Sequence, residues 1–243
     1  MTGCRGYRAH EGGLTCEMVD RAAAAGGLAV VGAFHTQAGD GAPEGVGTIC
    51  LLGARHDRMW NVFSCSPEVS DGRPDPLDRW SRRVIGTLAA DLDAVALFPF
   101  GEPPYQPFQR WAARGEGAVA SPVAMQVTPA RGLWASYRGA LGFREPIALA
   151  GGDAADPCPA CPAPCLTACP VDAFAGGAYD VPRCVAHITS PAGAACREGG
   201  CLVRHACPAG RDATPPAEQC RFHMDAFIRA RLAAGDESVS QGM

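Results

Sequence analysis

Lysine is absent from the 243-residue chain: all 21 basic residues are arginine, set against 25 acidic residues for a net charge of −4. A Schiff-base lysine and the lysine of a phosphate-binding loop are thereby excluded. The acidic balance argues against a nucleic-acid groove, because phosphate binding draws on clustered positive charge. The adjacent pair Arg82-Arg83 reads as a solvated helix face. No run of about 18 apolar residues occurs, so no membrane contact is expected. The opening "MTGCRGYRAHEGG" lacks a basic stretch followed by an apolar one, so no secretory signal is expected and the reading is cytoplasmic.

Cysteine, by contrast, is abundant. There are thirteen, in a chain that is 47% hydrophobic and 19% charged and so reads as globular. A reducing compartment rarely sustains disulfides. Cys4, Cys16, Cys50 and Cys65 are scattered singly and read as small apolar packing residues. The other nine lie between Cys158 and Cys220 and call for a metal.

The first 150 residues alternate apolar runs with amphipathic stretches, which indicates an α/β or α+β layered domain. "TCEMVDRAAAAGG" predicts a helix ended by glycine, "LAVVGAF" and "TICLLG" predict strands, and "AVALFPF" a third. "PDPLDRWSRRVIGTLAADLD" predicts the clearest helix, with Leu77, Trp80, Val84, Leu88 and Leu92 at helical spacing and Asp75 as N-cap before Pro76. "YQPFQRWAARG" reads as a helix closed by Gly115, and "VASPVAMQVTP" as an extended, bent segment. "GLWASYRGALGFREPIAL" reads as a turn or short helix leading into a strand "PIAL". After the linker "AGGDAADP" and the cysteines comes a terminal helix, capped by Thr214 and ended by Gly235, with a frayed tail.

The run "CPACPAPCLTACP" has the form C-x2-C-x3-C-x3-C-P, built from Cys158, Cys161, Cys165 and Cys169. The bacterial ferredoxin run is C-x2-C-x2-C-x3-C-P, whose last cysteine serves the other cluster of a pair. One residue is added here between Cys161 and Cys165. A second set, Cys184, Cys196, Cys201 and Cys207, also ends in Cys-Pro. Exchange of the two terminal cysteines would give one [4Fe-4S] cluster held by Cys158, Cys161, Cys165 and Cys207. The other would be held by Cys184, Cys196, Cys201 and Cys169. The second set has wider gaps, x4 and x5, so that one cluster alone is the competing expectation. Zinc also takes four cysteines, but its structural sites usually come as two short CxxC knuckles. Cys220 reads as a helix-face residue that could substitute for Cys196, and His187 and His205 as neighbours of the sulfurs, not ligands.

From Cys158 to Cys207 the order of motifs resembles the ferredoxin-like module of epoxyqueuosine reductases and related corrinoid-dependent reductases. The matching pieces are "CPACPAPCLTACP", "GGAYDVPRCVAHIT" and "CREGGCLVRHACP". "GLWASYRGALGF" and "GGCLVRHACP" likewise resemble short ferredoxin-like proteins of the same two-part layout. The resemblance implies an α/β layered domain at 1–150, a ferredoxin-like iron–sulfur module at 151–212, and a C-terminal helix and tail at 213–243. In that family the N-terminal domain holds a cobalamin that receives electrons from the clusters. No long helical tail of the kind the family uses around tRNA is expected after the second Cys-Pro.

Two functions follow. One is an electron carrier that serves a redox partner protein or a small-molecule acceptor. The other is an oxidoreductase using a corrinoid or flavin, with Trp134, Tyr137, Arg138 and Arg144 as candidate pocket residues. The competing reading of those four is core packing and solvated charge.

Overall fold

Thr15 opens the first helix, its hydroxyl accepting the Met18 amide at 3.3 Å, and α1 runs Cys16–Ala23. A tighter turn, Ala24–Gly26, follows, and Gly27 reverses the chain at φ 70°. A side chain at Gly27 would meet the Met59 backbone at 2.8 Å, so glycine is required there. The computed structural model describes residues 13–56, 58–149 and 155–240, with side chains to residue 233. Cys4 lies outside the described residues.

The chain continues as β1 (Leu28–His35), β2 (Thr48–Ala54), α2 (Met59–Ser64), α3 (Pro67–Ser70), α4 (Pro76–Asp91), β3 (Val95–Leu97) and α5 (Phe108–Glu116). After these come β4 (Val119–Ala120), β5 (Gln126–Val127) and β6 (Tyr137–Phe143), then α6 (Val181–Thr189), α7 (Ala194–Gly199), α8 (Leu202–Ala206) and α9 (Ala217–Ser240). The fold is mixed α+β, with a small antiparallel sheet and a C-terminal helix. No helix among the described residues is long and apolar enough to cross a membrane.

Two units are formed. The first is Met1–Ala118 with Ser136–Ala154, and the second is Val119–Ala135 with Ala155–Met243. The division therefore differs from a break near residue 150. The segment Val119–Ala135 joins the cysteine-bearing half, and so does the C-terminal helix.

The first unit is built on a sheet of order β1-β2-β6-β3, antiparallel throughout. Every residue of β2 is buried, which requires cover on both faces. On one face Ile49 and Leu51 pack with Phe34, Leu97, Phe108 and Trp111. On the other, Cys50 stands 3.8 Å from Cys16 of α1, sulfur to sulfur. Helix α4 buries Leu77, Trp80, Ile85 and Leu88, whereas Val84 and Leu92 of the expected stripe are half-buried.

Several expectations change. Asp75 occupies the cap position of α4 but at φ 51°, and its carboxylate caps nothing. Helix α5 runs through Gly115 and stops at Gly117, which takes the left-handed conformation at φ 68°. The strand of the region 132–149 is Tyr137–Phe143, not "PIAL". Glycines obscure that strand because they serve packing: a Cβ at Gly139 would lie 2.7 Å from Ile85 Cδ1. Helix α9 passes Gly235 and reaches Ser240.

Candidate metal centre

The second unit is made of short pieces. Cys158 opens a turn in which its amide donates to Asp156 Oδ1 at 2.9 Å and its carbonyl accepts the Cys161 amide at 3.0 Å. The extra residue of the run is accommodated by Ala163, held left-handed at φ 52° between Pro162 and Pro164. A non-glycine residue in that region costs about 1 kcal/mol. It turns the chain into the 3-10 segment Pro164–Leu166, which buries Cys165.

Cys158, Cys161, Cys165 and Cys207 line one cavity of about 60 Å³, several times the ~10–15 Å³ that one water needs. The rest of its wall is mostly apolar and includes Pro122, Val127, Leu133 and Ala163. Three of those side chains come from the hairpin β4–β5 and the turn after it. Gly132, at φ 52°, permits this approach: a Cβ there would meet the Ala209 carbonyl and, at 3.2 Å, the Cys207 sulfur. Burial, Asp156 and the neighbouring thiols push the Cys158 thiol up. Burial also raises that of Cys165, with further contributions from Cys207 and Cys161. A thiol reluctant to ionise alone becomes a ligand when a cation offsets its charge.

Cys169, Cys184 and Cys201 pack against the buried cluster that holds Leu133, Phe174 and Val203, and Cys196 is buried nearby in sequence on α7. Burial raises the Cys184 thiol, with further contributions from Cys201 and Cys169. Burial raises the Cys196 thiol, with further contributions from Cys201, Cys184 and Cys169. The Ala173 amide donates to Cys169 Sγ at 3.2 Å. Cys184 rides in the first turn of α6, which Asp180 caps by accepting the Arg183 amide at 2.9 Å. Helix α8 has Cys201 at its N-cap and Cys207 at its C-cap. The x5 gap in the sequence is therefore one short helix with a ligand candidate at each end, one for each group. In the same way Cys165 belongs to one group and Cys169 to the other, and four residues can reach at most about 14 Å.

The remaining candidates fall elsewhere. Cys220 is buried against Gly200, and its thiol, raised by burial, senses Arg204 and not the four thiols. His205 is exposed, turns its Nε2 to the Gly199 carbonyl at 2.8 Å and meets the Trp134 ring edge-on at 4.9 Å. Half-buried His187 lies one turn after Cys184 on α6. Cys65 is exposed, and every cysteine among the described residues is a free thiol.

The four candidate pocket residues are divided between the two units. Trp134 belongs to the second unit and the other three to the first. Tyr137 donates to Glu116 Oε2 at 2.6 Å, whereas Arg138 pairs with Asp78 at 3.5 Å. Tyr137 and Arg138 thus reach different helices, α5 and α4, and Arg144 is exposed.

Among the described residues no group of three or more His, Cys, Asp or Glu is gathered tightly enough to hold a single metal ion. A zinc ion bonded to four thiolates would hold them about 3.8 Å apart, at the Zn–S distance such sites adopt. The first four thiols instead stand around a cavity. The donor set, four sulfurs in an apolar wall, suits a polynuclear iron–sulfur core. Sequence reasoning missed the residues that complete the setting: Val127, Leu133, Tyr179 and Arg204. "GGAYDVPRC" placed Tyr179 beside a ligand candidate, and that was the available signal; for Val127 and Leu133 no local signal exists. Comparison with protein-family models, curated proteins and solved structures finds no match.

Proposed function

We propose that the second unit holds two [4Fe-4S] clusters and that the protein carries electrons, one at a time, to a redox partner or a small-molecule acceptor. One observation carries this: four thiols from two separated loops surround a single cavity. Cys158, Cys161, Cys165 and Cys207 would hold one cluster, and Cys169, Cys184, Cys196 and Cys201 the other. When bound, such clusters supply one-electron chemistry at a potential set by charge, hydrogen bonds and exposure. The chain's own part is to hold the thiolates, exclude water with Val127 and Leu133, and direct amides at the sulfurs. The two short links, Cys165 to Cys169 and the α8 helix, keep the two groups adjacent.

The test is anaerobic purification followed by absorption spectroscopy and analysis for iron, sulfide, zinc, cobalt and flavin. A broad shoulder in the visible, with iron and sulfide in equal amounts, is the expected result. Cys165→Ser should remove about half of the iron and Cys65→Ser none. Zinc without sulfide, or equal iron loss from both variants, would refute the proposal. Corrinoid bands would move the reading to the reductase.

A further inference from the structure

We infer that the Ser121 hydroxyl donates a hydrogen bond to the group held by Cys158, Cys161, Cys165 and Cys207, and so makes that centre easier to reduce. This rests on the iron–sulfur reading and assigns to the first centre a residue outside the cysteine runs. The hydroxyl keeps its proton throughout, and reduction adds only an electron to the centre.

The observation that carries this is a buried hydroxyl left over at the wall of the cavity. Ser121 is 8% exposed and lines the cavity of the four thiols, and its Oγ finds no hydrogen-bond partner among the described residues. Its backbone groups are already used. Ser121 follows β4 at the head of the turn to β5, where its amide donates to the Met125 carbonyl at 2.9 Å and its carbonyl accepts the Ala124 amide at 3.0 Å. The other hydroxyl of the segment 119–135 is that of Thr128, which is also buried but accepts the Arg131 amide at 3.1 Å. A buried hydroxyl without a partner costs free energy, so one kept at a cavity wall calls for a partner inside the cavity.

The rest of the wall makes that need specific. Among the described residues that line it, Ser121 alone has a polar side chain besides the four cysteines. Pro122, Pro157 and Pro208 line it too, and proline has no N–H to offer. Donors are therefore scarce where four thiolates would meet. An iron–sulfur core on four thiolates carries net negative charge, and reduction adds to it. Against Val127, Leu133 and Ala163 that charge is poorly solvated, and a hydroxyl donor lowers its cost. The benefit grows with the charge, so it favours the reduced state.

The experiment is a redox titration of the anaerobically purified protein with dithionite as the one-electron donor, followed by electron paramagnetic resonance. Iron and sulfide are measured on the same samples. Ser121→Ala removes the hydroxyl and Ser121→Thr keeps it. Ser121→Ala should lower one midpoint and weaken electron uptake there about threefold to tenfold, where tenfold corresponds to 59 mV for one electron. The midpoint that moves should be the one missing from Cys165→Ser. Ser121→Thr should stay at the parent value. Iron lost from Ser121→Ala but retained in Ser121→Thr would also support a hydroxyl that acts on the centre. An unmoved midpoint in Ser121→Ala, a shift of the other midpoint, or an equal change in both variants would overturn the inference, while iron and sulfide in the parent protein leave the electron-carrier reading standing. Parent protein without sulfide would overturn both.

Discussion

The two units close their interiors by different means. In the first, Ile49, Cys50, Leu51 and Leu52 are fully buried in one strand, and Trp80 and Trp111 seal the faces of the sheet. In the second, the buried residues Val123, Val127, Leu133, Cys165, Ala173, Phe174 and Val203 are ringed by Cys158, Cys169, Cys184, Cys201 and Cys207. Its strands, β4 and β5, are two residues each, and α7 and α8 have six and five residues. Helices so short do not hold themselves in water. The first unit thus has side-chain packing and a hydrogen-bonded sheet to stabilise it, whereas the second arranges sulfur where packing would otherwise have to serve. Under the proposed function, cluster binding belongs to the second unit's folding free energy and not to the first's.

The largest test of this contrast is removal of iron. Chelation of the oxidised protein should abolish hydrogen-exchange protection in α6, α7 and α8, while the amides of β2 and β6 stay protected. Protection that persists in α6–α8 without metal would mean that the second unit closes its core by packing after all. A loss spread equally over both units would mean that they do not fold independently.

A smaller but still substantial effect is expected at Trp111. Its ring is fully buried among Phe34, Leu97 and Phe108, and its indole N–H donates to the Asp40 carbonyl at 2.9 Å. Trp111→Ala removes a large apolar side chain and leaves a cavity, at a cost of about 3–5 kcal/mol. Thermal unfolding followed by tryptophan fluorescence should show the first unit melting earlier. Iron content, measured below that transition, should be unchanged. Loss of iron together with the sheet would join what the comparison separates.

The legibility of the sequence follows the same division. Helix α4 and strands β1 and β2 are readable because the periodicity of their apolar residues is a local record of a face. The cysteine runs are readable for another reason: ligand chemistry demands a fixed residue type at short spacing, so Cys158, Cys161 and Cys165 declare a loop before any fold is known. The x5 gap was less readable, since a five-residue helix between Cys201 and Cys207 carries no periodicity. Strand β6 was hidden by Gly139 and Gly142, which weaken any strand pattern and are there because Ile85, Leu97 and Val46 approach so closely. The membership of Val119–Ala135 in the second unit is a long-range fact. Val127 and Leu133 look like ordinary apolar residues until the chain brings them to the thiols. Asp75 shows the reverse error, a cap signature ahead of Pro76 whose backbone turns left-handed and whose carboxylate is not used.

The smallest effect concerns a charge pair confined to the first unit. Glu68 of α3 is buried, and Arg83 of α4 clasps it with Nε at 2.6 Å from Oε1 and Nη2 at 3.0 Å from Oε2. The Arg83 hydrogen bonds hold the Glu68 carboxyl down at about 2, against the opposing effect of burial. Its folded value lies below that of an unfolded glutamate, about 4.3. The contribution to stability is therefore complete above that unfolded value and is lost as pH falls through about 2. The Arg83 side chain is 51% exposed, so solvent screens the pair and its contribution is about 1 kcal/mol. Arg83→Gln should lower the stability of the first unit by that amount at neutral pH, as read from denaturant midpoints. The gap to the parent protein should stay constant down to about pH 5 and narrow below it, because the parent loses an ion pair that the variant never had. A gap that widens on acidification would mean that Glu68 is not the titrating partner. A change in the second unit's iron content would show that the pair acts beyond the sheet.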